Sequence, residues 1–378
     1  IRQPMCHRTK ILWIELLYSY FIFRLILTDL CLYLHTKILF SLRILKHIAK
    51  ILLWTIISLF ALIVLAVVLL QIPAVQQKLT NKVVAKVSEY VGLQIEVGKV
   101  YPIFWDGIVL KDVCVHGTQN DTILSADDIA VSINSLNLDS SYVALSKVSL
   151  VRPQVWIFVD SAGTMNIAPL LELFNSSDTT SNFVVKVEDI SIKNGQFSYN
   201  DFRENQREDF GVNFSNLKVS ELYLQAHDFS MNDGEYAAAI DKFSCKEQSD
   251  LQIQYLHGNF RVNDKLIRGE EFVLYTPKSK LSARDVSLTY DSFSDFSSFC
   301  ESVNMAAHFN RSTVSLYDIS LFAPALKDIP YDFSLEGDFN GTVSDFSVTD
   351  LHIGYGRSSQ FVGTLTAQGL PEIDSTSF

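Results

Sequence analysis

Beyond Gly92 the chain alternates apolar and polar residues with a period of two. This alternation is typical of β-strands with one apolar face, because successive side chains point to opposite sides of a sheet. Asn, Asp, Ser and Gly separate the runs and favour turns. The sequence therefore predicts a mainly β, mostly antiparallel fold over residues 93–378 with few short helices. The clearest runs are Ile129, Val131 and Ile133; Phe183, Val185 and Val187; Leu251, Ile253 and Tyr255; and Val286, Leu288 and Tyr290.

A second pattern interrupts the alternation at five places. An aliphatic residue is followed by two others, the second of them acidic, and then by another aliphatic residue. In a flat strand this spacing would send the two apolar sets to opposite faces. A β-bulge or bend at the acidic residue keeps one apolar face and curves the sheet, and a tight break between separate strands would serve equally well. The stretches are LKDV (110–113), VEDI (187–190), VSEL (219–222), LYDI (316–319) and VTDL (348–351).

These patterns together predict an elongated, curved sheet with one apolar and one polar face. Too few helices are visible in the sequence to cover the apolar face. The sheet is therefore expected to roll against itself or to enclose something apolar.

The N-terminal part of the chain has a different pattern. Twenty residues from Ile51 to Leu70, including Trp54, carry no charge, and at ~1.5 Å per residue they span the ~30 Å of a bilayer's hydrocarbon. No small-residue cleavage site ends the run, which favours an uncleaved signal anchor over residues 46–72. A buried core helix is the alternative.

Charge orients this anchor. Residues 1–71 hold 8 Lys/Arg and 2 Asp/Glu, a net of +6, so the remaining residues hold 31 − 8 = 23 and 42 − 2 = 40, a net of −17. The positive-inside rule then places the N-terminus in the cytoplasm and the bulk of the chain outside. Residues 1–45 are apolar but interrupted by charges, and are either a poor second membrane segment or upstream sequence translated past the true start.

An amphipathic helix is predicted over residues 73–92. Val75, Leu79, Val83, Val87 and Val91 recur at helical spacing between polar residues, and Gly92 occupies the C-cap position. The apolar stripe could cap the end of a sheet or bind a membrane surface.

The stretch VWIFVDSAGTMNIAPLL (155–171) resembles the way a pepsin-type protease presents a catalytic Asp. Such a protease needs Asp, Ser or Thr, and Gly in direct succession, and a second such Asp to share the proton. Ala162 is inserted here and no second copy occurs. We therefore interpret Asp160 as the corner of a turn, and Asn166 as the cap of a short helix that runs to Phe174.

Other chemistry has little support in the sequence. Cys114 and His116 could form half of a metal site, but no partner pair has suitable spacing. Nucleotide-binding, zinc-protease and nucleophile-elbow motifs are missing. The acidic bulk without a basic patch argues against nucleic acid. The sequence therefore predicts no enzyme, no cofactor and no metal.

The order of these features resembles a known family. The anchor and the amphipathic helix are followed by GLQIEVGKVYPIFWDGIVLKDVCVHG, DTILSADDIAVSINSLNL, VSLVRPQVWIFVDSAGTMNIAPLL and VEDISIKNGQFSYND. Over roughly residues 46–220 this order is similar to the AsmA-like superfamily, most of all to the N-terminal region of TamB, from the translocation and assembly module of diderm bacteria. Such proteins are usually longer, so the chain is expected to be a fragment or an early-terminated gene model.

The resemblance implies a sheet rolled into an open trough or tube with an apolar interior. It also implies a single-pass protein of the inner membrane, whose periplasmic part takes part in phospholipid passage and outer-membrane protein assembly with an Omp85-type partner. In this hypothesis the groove binds phospholipid acyl chains. Its expected lining is Ile129, Val131, Ile133, Val155, Ile157, Val159, Val185, Val187, Ile190 and Ile192.

The alternative hypothesis is a periplasmic chaperone-like scaffold. Its exposed strand edges would bind unfolded strands of outer-membrane proteins by β-augmentation.

Overall fold

The computed structural model divides the chain into two compact units, Ile1–Val75 and Gln76–Phe378. It describes residues 92–378 apart from 104–106, 118–120, 138–141, 170–183, 204–209, 330, 371–375 and 378, together with a few helical residues before Gly92. The fold described below is that of the second unit.

The predicted membrane anchor lies mostly outside the described residues. Ile51 and Leu70 are among those not described, whereas Trp54 is helical and 62% exposed. No helix in the described part of the chain is long and apolar enough to cross a membrane. The anchor at 46–72 and the interpretation of residues 1–45 stay predictions.

The amphipathic helix is described at only four positions. Val84, Ala85, Ser88 and Glu89 are helical. The backbone N–H of Gly92 donates to the Ser88 carbonyl (2.9 Å), and Gly92 has a φ of +71°. A glycine in this conformation is the usual way to end a helix, and the first strand follows directly.

The second unit is mainly β and forms one sheet. In the described residues fifteen strands share it, in the order β1-β2-β3-β4-β6 and then consecutively to β15, while β5 pairs with β3 and β6. The strands are β1 (Gln94–Ile103), β2 (Gly107–His116), β3 (Thr122–Asn137), β4 (Tyr142–Val151), β5 (Gln154–Val159), β6 (Val184–Asp201), β7 (Asn216–Asn232), β8 (Glu235–Glu247), β9 (Gln252–Val262), β10 (Leu266–Tyr275), β11 (Lys280–Thr289), β12 (Asn304–Ser315), β13 (Asp332–Gly341), β14 (Asp345–Tyr355) and β15 (Ser359–Gln368).

All pairings are antiparallel except those that β6 makes with β4 and β5. The two short strands act as one long strand interrupted at Arg152 and Pro153, since both keep the same register against β3 and against β6. A parallel return needs a crossover connection. Residues 160–183 supply it, which places the DSAG turn between β5 and β6.

The predicted bends are confirmed at three of the five stretches. Asp112, Glu221 and Asp350 have positive φ values of 52°, 53° and 49°. Register shifts accompany Glu221 and Asp350. At these steps two successive polar residues precede the next apolar one, as expected for bulges.

The other two stretches differ from this pattern. In VEDI no residue has a positive φ, but Glu188 and Asp189 are both exposed between Val187 and Ile190, and Asp228, opposite Glu188 in β7, has a φ of 52°. A further bend of β6 lies at Asn194, with a φ of 54°. LYDI is no strand at all, because Leu316–Ser320 forms a short α-helix. Its Asp318 accepts a hydrogen bond from the Thr276 hydroxyl (2.6 Å), which ties the helix to the β10–β11 turn.

Three further helical segments were not predicted from the sequence pattern. A 3₁₀ helix at Phe293–Ser298 leads into the short helix α1 (Phe299–Ser302), between β11 and β12. The helix at Leu316–Ser320, here α2, leads to a second 3₁₀ helix at Pro324–Leu326. All are too short for a hydrophobic period to be visible.

Deep burial is rare in the described part of the sheet. The largest side chains with almost no exposed surface are Leu321 (1%), Leu351 (1%) and Val303 (0%). Leu321 lies just after α2, where its carbonyl accepts the N–H of Val212 (2.8 Å). The connection after β12 thus packs against the connection before β7, and we call residues 316–329 the strap.

Candidate apolar binding face

One face of the sheet carries continuous rows of apolar side chains. Residues directly opposite each other on paired strands lie on the same face, so the register traces each row. The first row crosses ten strands and contains Val100, Leu110, Ile129, Leu150, Ile192, Leu224, Phe243, Leu256, Leu274 and Leu281. We call this side of the sheet the apolar face.

A second row runs closer to the other ends of the strands. Its members are Val143, Val185, Met231, Tyr236, Val262, Ile267, Leu288, Met305, Gly341, Phe346 and Ala367. The steps between the two halves of a strand keep both rows on one side. In β14, for example, Val348 (7% exposed) and Leu351 (1%) flank the exposed residues Thr349 and Asp350.

The register places the predicted lining residues in such rows. Ile129 and Ile192 belong to the first row, and Val185 to the second. Val131 and Ile190 are joined through Val148. Ile133 and Val187 are joined through Leu145.

The three β5 residues extend the pattern toward the end of β6. Val155 lies opposite Phe197, Ile157 opposite Tyr199, and Val159 opposite Asp201.

Most of the predicted lining residues are only partly covered. Val159 and Val187 are 3% and 5% exposed, Ile133 is 40% exposed, and the other seven are half-buried. A packed protein core would hide aliphatic side chains such as these almost completely. The apolar face therefore keeps surface available for contact.

The opposite face is polar. One of its rows contains Ser132, Lys147, Asp189, His227, Ala239, Asn259, Glu270, Asp285, His308, Asp338 and Thr349. Neighbouring strands are linked there by polar contacts such as His227 Nδ1 to Asp241 Oδ2 (3.1 Å).

The polar face also carries an exposed ion pair. Lys111 Nζ lies 3.0 Å from Asp128 Oδ1, and the hydrogen bond to that carboxylate raises the pKa of Lys111 above its usual value.

Sequence reasoning missed the part of the apolar face beyond β6. The alternation of Val286, Leu288 and Tyr290 indicated it, but no lining residue was assigned from that run. Around β9 the alternation misled, because Leu256 occupies the first row while Tyr255 lies opposite Tyr275. The shift follows from a register irregularity between β8 and β9.

Asp160 lies at the corner of a turn. Its Oδ1 accepts the N–H groups of Ala162 (2.9 Å) and Thr164 (2.8 Å), and its carbonyl accepts the N–H of Gly163 (2.9 Å). Gly163 has a φ of +88°, which glycine adopts without strain. The carboxylate thus organises the loop that leaves β5.

Asn166 has a different role from the predicted helix cap. Its Oδ1 accepts the N–H of Phe158 (3.1 Å), and its Nδ2 donates to the Trp156 carbonyl (3.0 Å) and to Asp121 Oδ2 (2.9 Å). The residue is buried. Its side chain therefore fastens the crossover loop to β5 and to the start of β3. The predicted helix lies mostly outside the described residues.

The described residues hold no cluster of three or more His, Cys, Asp or Glu side chains that could bind a metal ion. The thiol of Cys245, on the apolar face opposite Ile253, is partly buried, and burial raises its pKa. A thiol of this kind stays protonated and is a poor nucleophile.

Comparison with known proteins adds no family. A scan against protein-family models finds no match, and a search of the curated proteins finds no significant match. The resemblance to the AsmA-like superfamily therefore stays a prediction that rests on the sequence features given above.

Proposed function

We propose that the sheet is the lipid-binding groove of an envelope protein of the TamB/AsmA type. In this proposal the N-terminal segment anchors the chain in the inner membrane of a diderm bacterium, and the sheet extends into the periplasm. Acyl chains of phospholipids lie against the apolar face, and their head groups stay in water. The continuous apolar row from Val100 to Leu281 is the observation that carries the proposal.

The bends support a trough that is concave on its apolar side. Where two successive polar residues stand on the polar face, that face is longer than the apolar one, so the strand curves toward the apolar side. Such steps recur from Asp112 in β2 to Asp350 in β14. The two halves of a strand then lie in the two opposite walls of the trough, and the strand ends form its two rims.

The length of the rows favours passage over single-site binding. Fourteen strands lie on the path from β1 to β15, and thirteen steps of ~4.8 Å give a contour of ~60 Å. One leaflet of a bilayer has a hydrocarbon depth of ~15 Å, half of the ~30 Å core. Several lipids could therefore lie in succession along one face.

The chemistry of the lining fits acyl chains of varied structure. Burial of each CH₂ is worth ~0.8 kcal/mol without any directional contact. An apolar row with no polar member makes no directional contact with the acyl chain and leaves the head group free. A lipid could then exchange between neighbouring positions without breaking specific hydrogen bonds.

Site-specific photocrosslinking in the full chain, expressed in its membrane, tests the proposal. A photoreactive phenylalanine analogue replaces Leu224 on the apolar face or, as the matched control, Gln225, which follows it in β7 and is exposed on the polar face. We expect phospholipid adducts at position 224 and none at 225. Equal labelling at both positions, or no lipid at either, would contradict the groove.

A second function is favoured by the outer edge of β15, where Gln368 is the one residue of the strand that pairs with a further residue, Ser377, in the described part of the chain. This strand, SQFVGTLTAQ, has no charge and no proline, and Phe361 and Val362 are 48% and 64% exposed. Unprotected edges of this kind accept further strands. For a scaffold that binds outer-membrane proteins, crosslinks at Val362 would join protein, whereas the groove predicts lipid at Leu224.

A further inference from the structure

Exposed aromatic side chains gather where the strap meets the strand ends. The strap contacts the 210–216 connection through Phe322 and Phe214, whose ring centroids are 6.3 Å apart. The ring centroid of Tyr331, just beyond the strap, lies 5.1 Å from that of Tyr355 at the end of β14. The exposed fractions are 64% for Phe214, 56% for Phe322, 49% for Tyr331, 46% for Tyr355 and 38% for Tyr275.

Lysine side chains accompany these rings. Lys278 Nζ lies 3.4 Å from the centroid of the Tyr317 ring, and Lys327 Nζ lies 4.3 Å from that of Phe210. Lys280 Nζ lies 5.7 Å from the centroid of Tyr275. All three lysines are exposed. A cation held over a ring is positioned without being neutralised, so these ammonium groups can still pair with an anion.

Hydrogen bonds join the segments into one surface. The Ser279 and Thr276 hydroxyls donate to Asp318 of the strap, and Val212 donates its N–H to the Leu321 carbonyl. Leu316 donates its N–H to the Tyr331 carbonyl (2.9 Å). We call the connections 210–216, 275–280, 315–332 and 355–359 together the strap rim.

The two ends of β7–β15 differ in charge. In the described connections between β8 and β15 at the strap end there are four basic and five acidic residues. They are Lys278, Lys280, Lys327 and Arg357, and Glu247, Asp250, Asp318, Asp328 and Asp332. Glu247 is buried and Asp318 is hydrogen-bonded to hydroxyls. At the other end there are one basic and seven acidic residues. They are Lys265, and Asp233, Glu235, Asp264, Asp291, Asp295, Glu301 and Asp345.

The opposite end serves as an internal comparison. It also exposes an aromatic side chain, Phe293, at 59%, which packs near Tyr290 and Phe296. It lacks the lysines that accompany the rings of the strap rim. Aromatic side chains together with basic ones are typical of protein surfaces that lie at the head-group level of a membrane.

We propose that the strap rim docks on the surface of a bilayer that contains anionic phospholipid. The exposed rings enter the head-group layer, and Lys278, Lys280 and Lys327 pair with phosphates. This contact is distinct from the lipid groove, since it uses the strand ends and not the apolar face. It would set one rim of the sheet against a membrane, where lipids could enter or leave.

Vesicle binding by the full chain, held in nanodiscs of phosphatidylcholine, tests the proposal. The nanodiscs are mixed with vesicles of phosphatidylcholine alone or with added phosphatidylglycerol, and bound chain is separated by flotation. We expect binding to the anionic vesicles that weakens with salt. Each lysine near the surface contributes about fivefold in affinity, so Lys278→Glu, Lys280→Glu and Lys327→Glu together should weaken binding at least about a hundredfold.

A second variant tests the rings. Phe214→Ser with Phe322→Ser should weaken binding to the same vesicles. Lys265→Glu and Phe293→Ser at the opposite end are the matched controls and should bind like the parent chain. Protection of the Val212 amide from hydrogen exchange reports whether the strap is still folded in each variant.

The proposal is overturned if the parent chain binds neither vesicle, binds both equally well, or is weakened as much by the control variants. The lipid adduct at Leu224 is a separate readout. If the chain forms the lipid adduct at Leu224 but does not bind vesicles, only the docking proposal is overturned. If the chain binds vesicles but forms no adduct, only the groove proposal is overturned.

Discussion

At the scale of single residues, the Asp201–Arg203 pair fixes the end of β6. Asp201 is buried, and its carboxylate accepts hydrogen bonds from Arg203 Nε (3.0 Å), Nη2 (2.6 Å) and the backbone N–H (3.0 Å). The guanidinium holds the pKa of this carboxyl below its ordinary value of 3.8. The stability it supplies is complete above that ordinary value and is lost as the pH falls through the lower folded value.

Replacing the arginine should therefore make this region sensitive to milder acid. In Arg203→Met the pKa of Asp201 rises, because the guanidinium hydrogen bonds are gone, and the acid transition shifts to higher pH. Tryptophan fluorescence during acid titration measures the shift, since Trp156 lies opposite Ser198 of β6. Arg284→Met, which removes an exposed ion pair with Asp285, is the control and should leave the midpoint unchanged. An unshifted midpoint in the Arg203 variant would contradict the role of the pair.

The local sequence was enough to predict the roles of some residues but not of others. The turn at Asp160 was predictable because an Asp, a Gly two residues beyond Ser161 and the end of an apolar run act within a few positions. Asn166 was not, because its partners Trp156 and Asp121 come from β5 and the start of β3. A polar side chain near a helix start has several local roles, and only the fold selects among them.

At the scale of elements, the steps in several strands require unusual backbone conformations. Gly337 in β13 has a φ of +150° and faces the bend at Asp350. A Cβ atom there would lie 3.0 Å from the Thr349 carbonyl oxygen and 3.1 Å from Leu351 Cα. Both the backbone conformation and the space therefore favour glycine at this point.

Gly337→Val should loosen the β13–β14 hairpin by about 1–3 kcal/mol, the typical cost of such backbone strain. Hydrogen exchange in β13 and β14 measures the loss locally, which suits a sheet whose strands contact mainly their neighbours. Gly363→Ala in β15 is the control, because the atoms nearest to a Cβ there belong to the exposed ring of Phe361 and not to the backbone. Unchanged exchange in the Gly337 variant would mean that the bend tolerates a side chain.

Element types followed from the sequence where a period was long enough to see. Alternating runs such as Ile129, Val131 and Ile133 predicted strands, and LKDV, VSEL and VTDL predicted bends. LYDI has the same spacing of aliphatic and acidic residues but forms α2. Its Asp318 accepts hydrogen bonds from Thr276 and Ser279, and the neighbouring Leu321 is buried. The parallel pairing of β6 was also invisible, since it depends on a crossover and not on the strands themselves.

At the scale of the whole sheet, what matters is whether the apolar rows are continuous. A set of separate lipid sites would tolerate a break between strands, whereas passage along the face would not. The first row runs through Ile192, Leu224 and Phe243 without a polar member. Leu224 is half-buried, so a carboxylate there would meet arriving acyl chains without having to be forced into a closed core.

Leu224→Asp should therefore block passage while leaving the rest of the first row, on either side, able to bind lipid. Moving acyl chains past a charged group leaves it without water, which costs several kcal/mol. Transfer of a fluorescent phospholipid between donor and acceptor vesicles should fall at least tenfold, while photocrosslinks to lipid at Ile129 and Leu274 persist on either side. Gln225→Asp, one residue away on the polar face, is expected to transfer lipid like the parent chain. Normal transfer by the Leu224 variant would mean that the row is not the route.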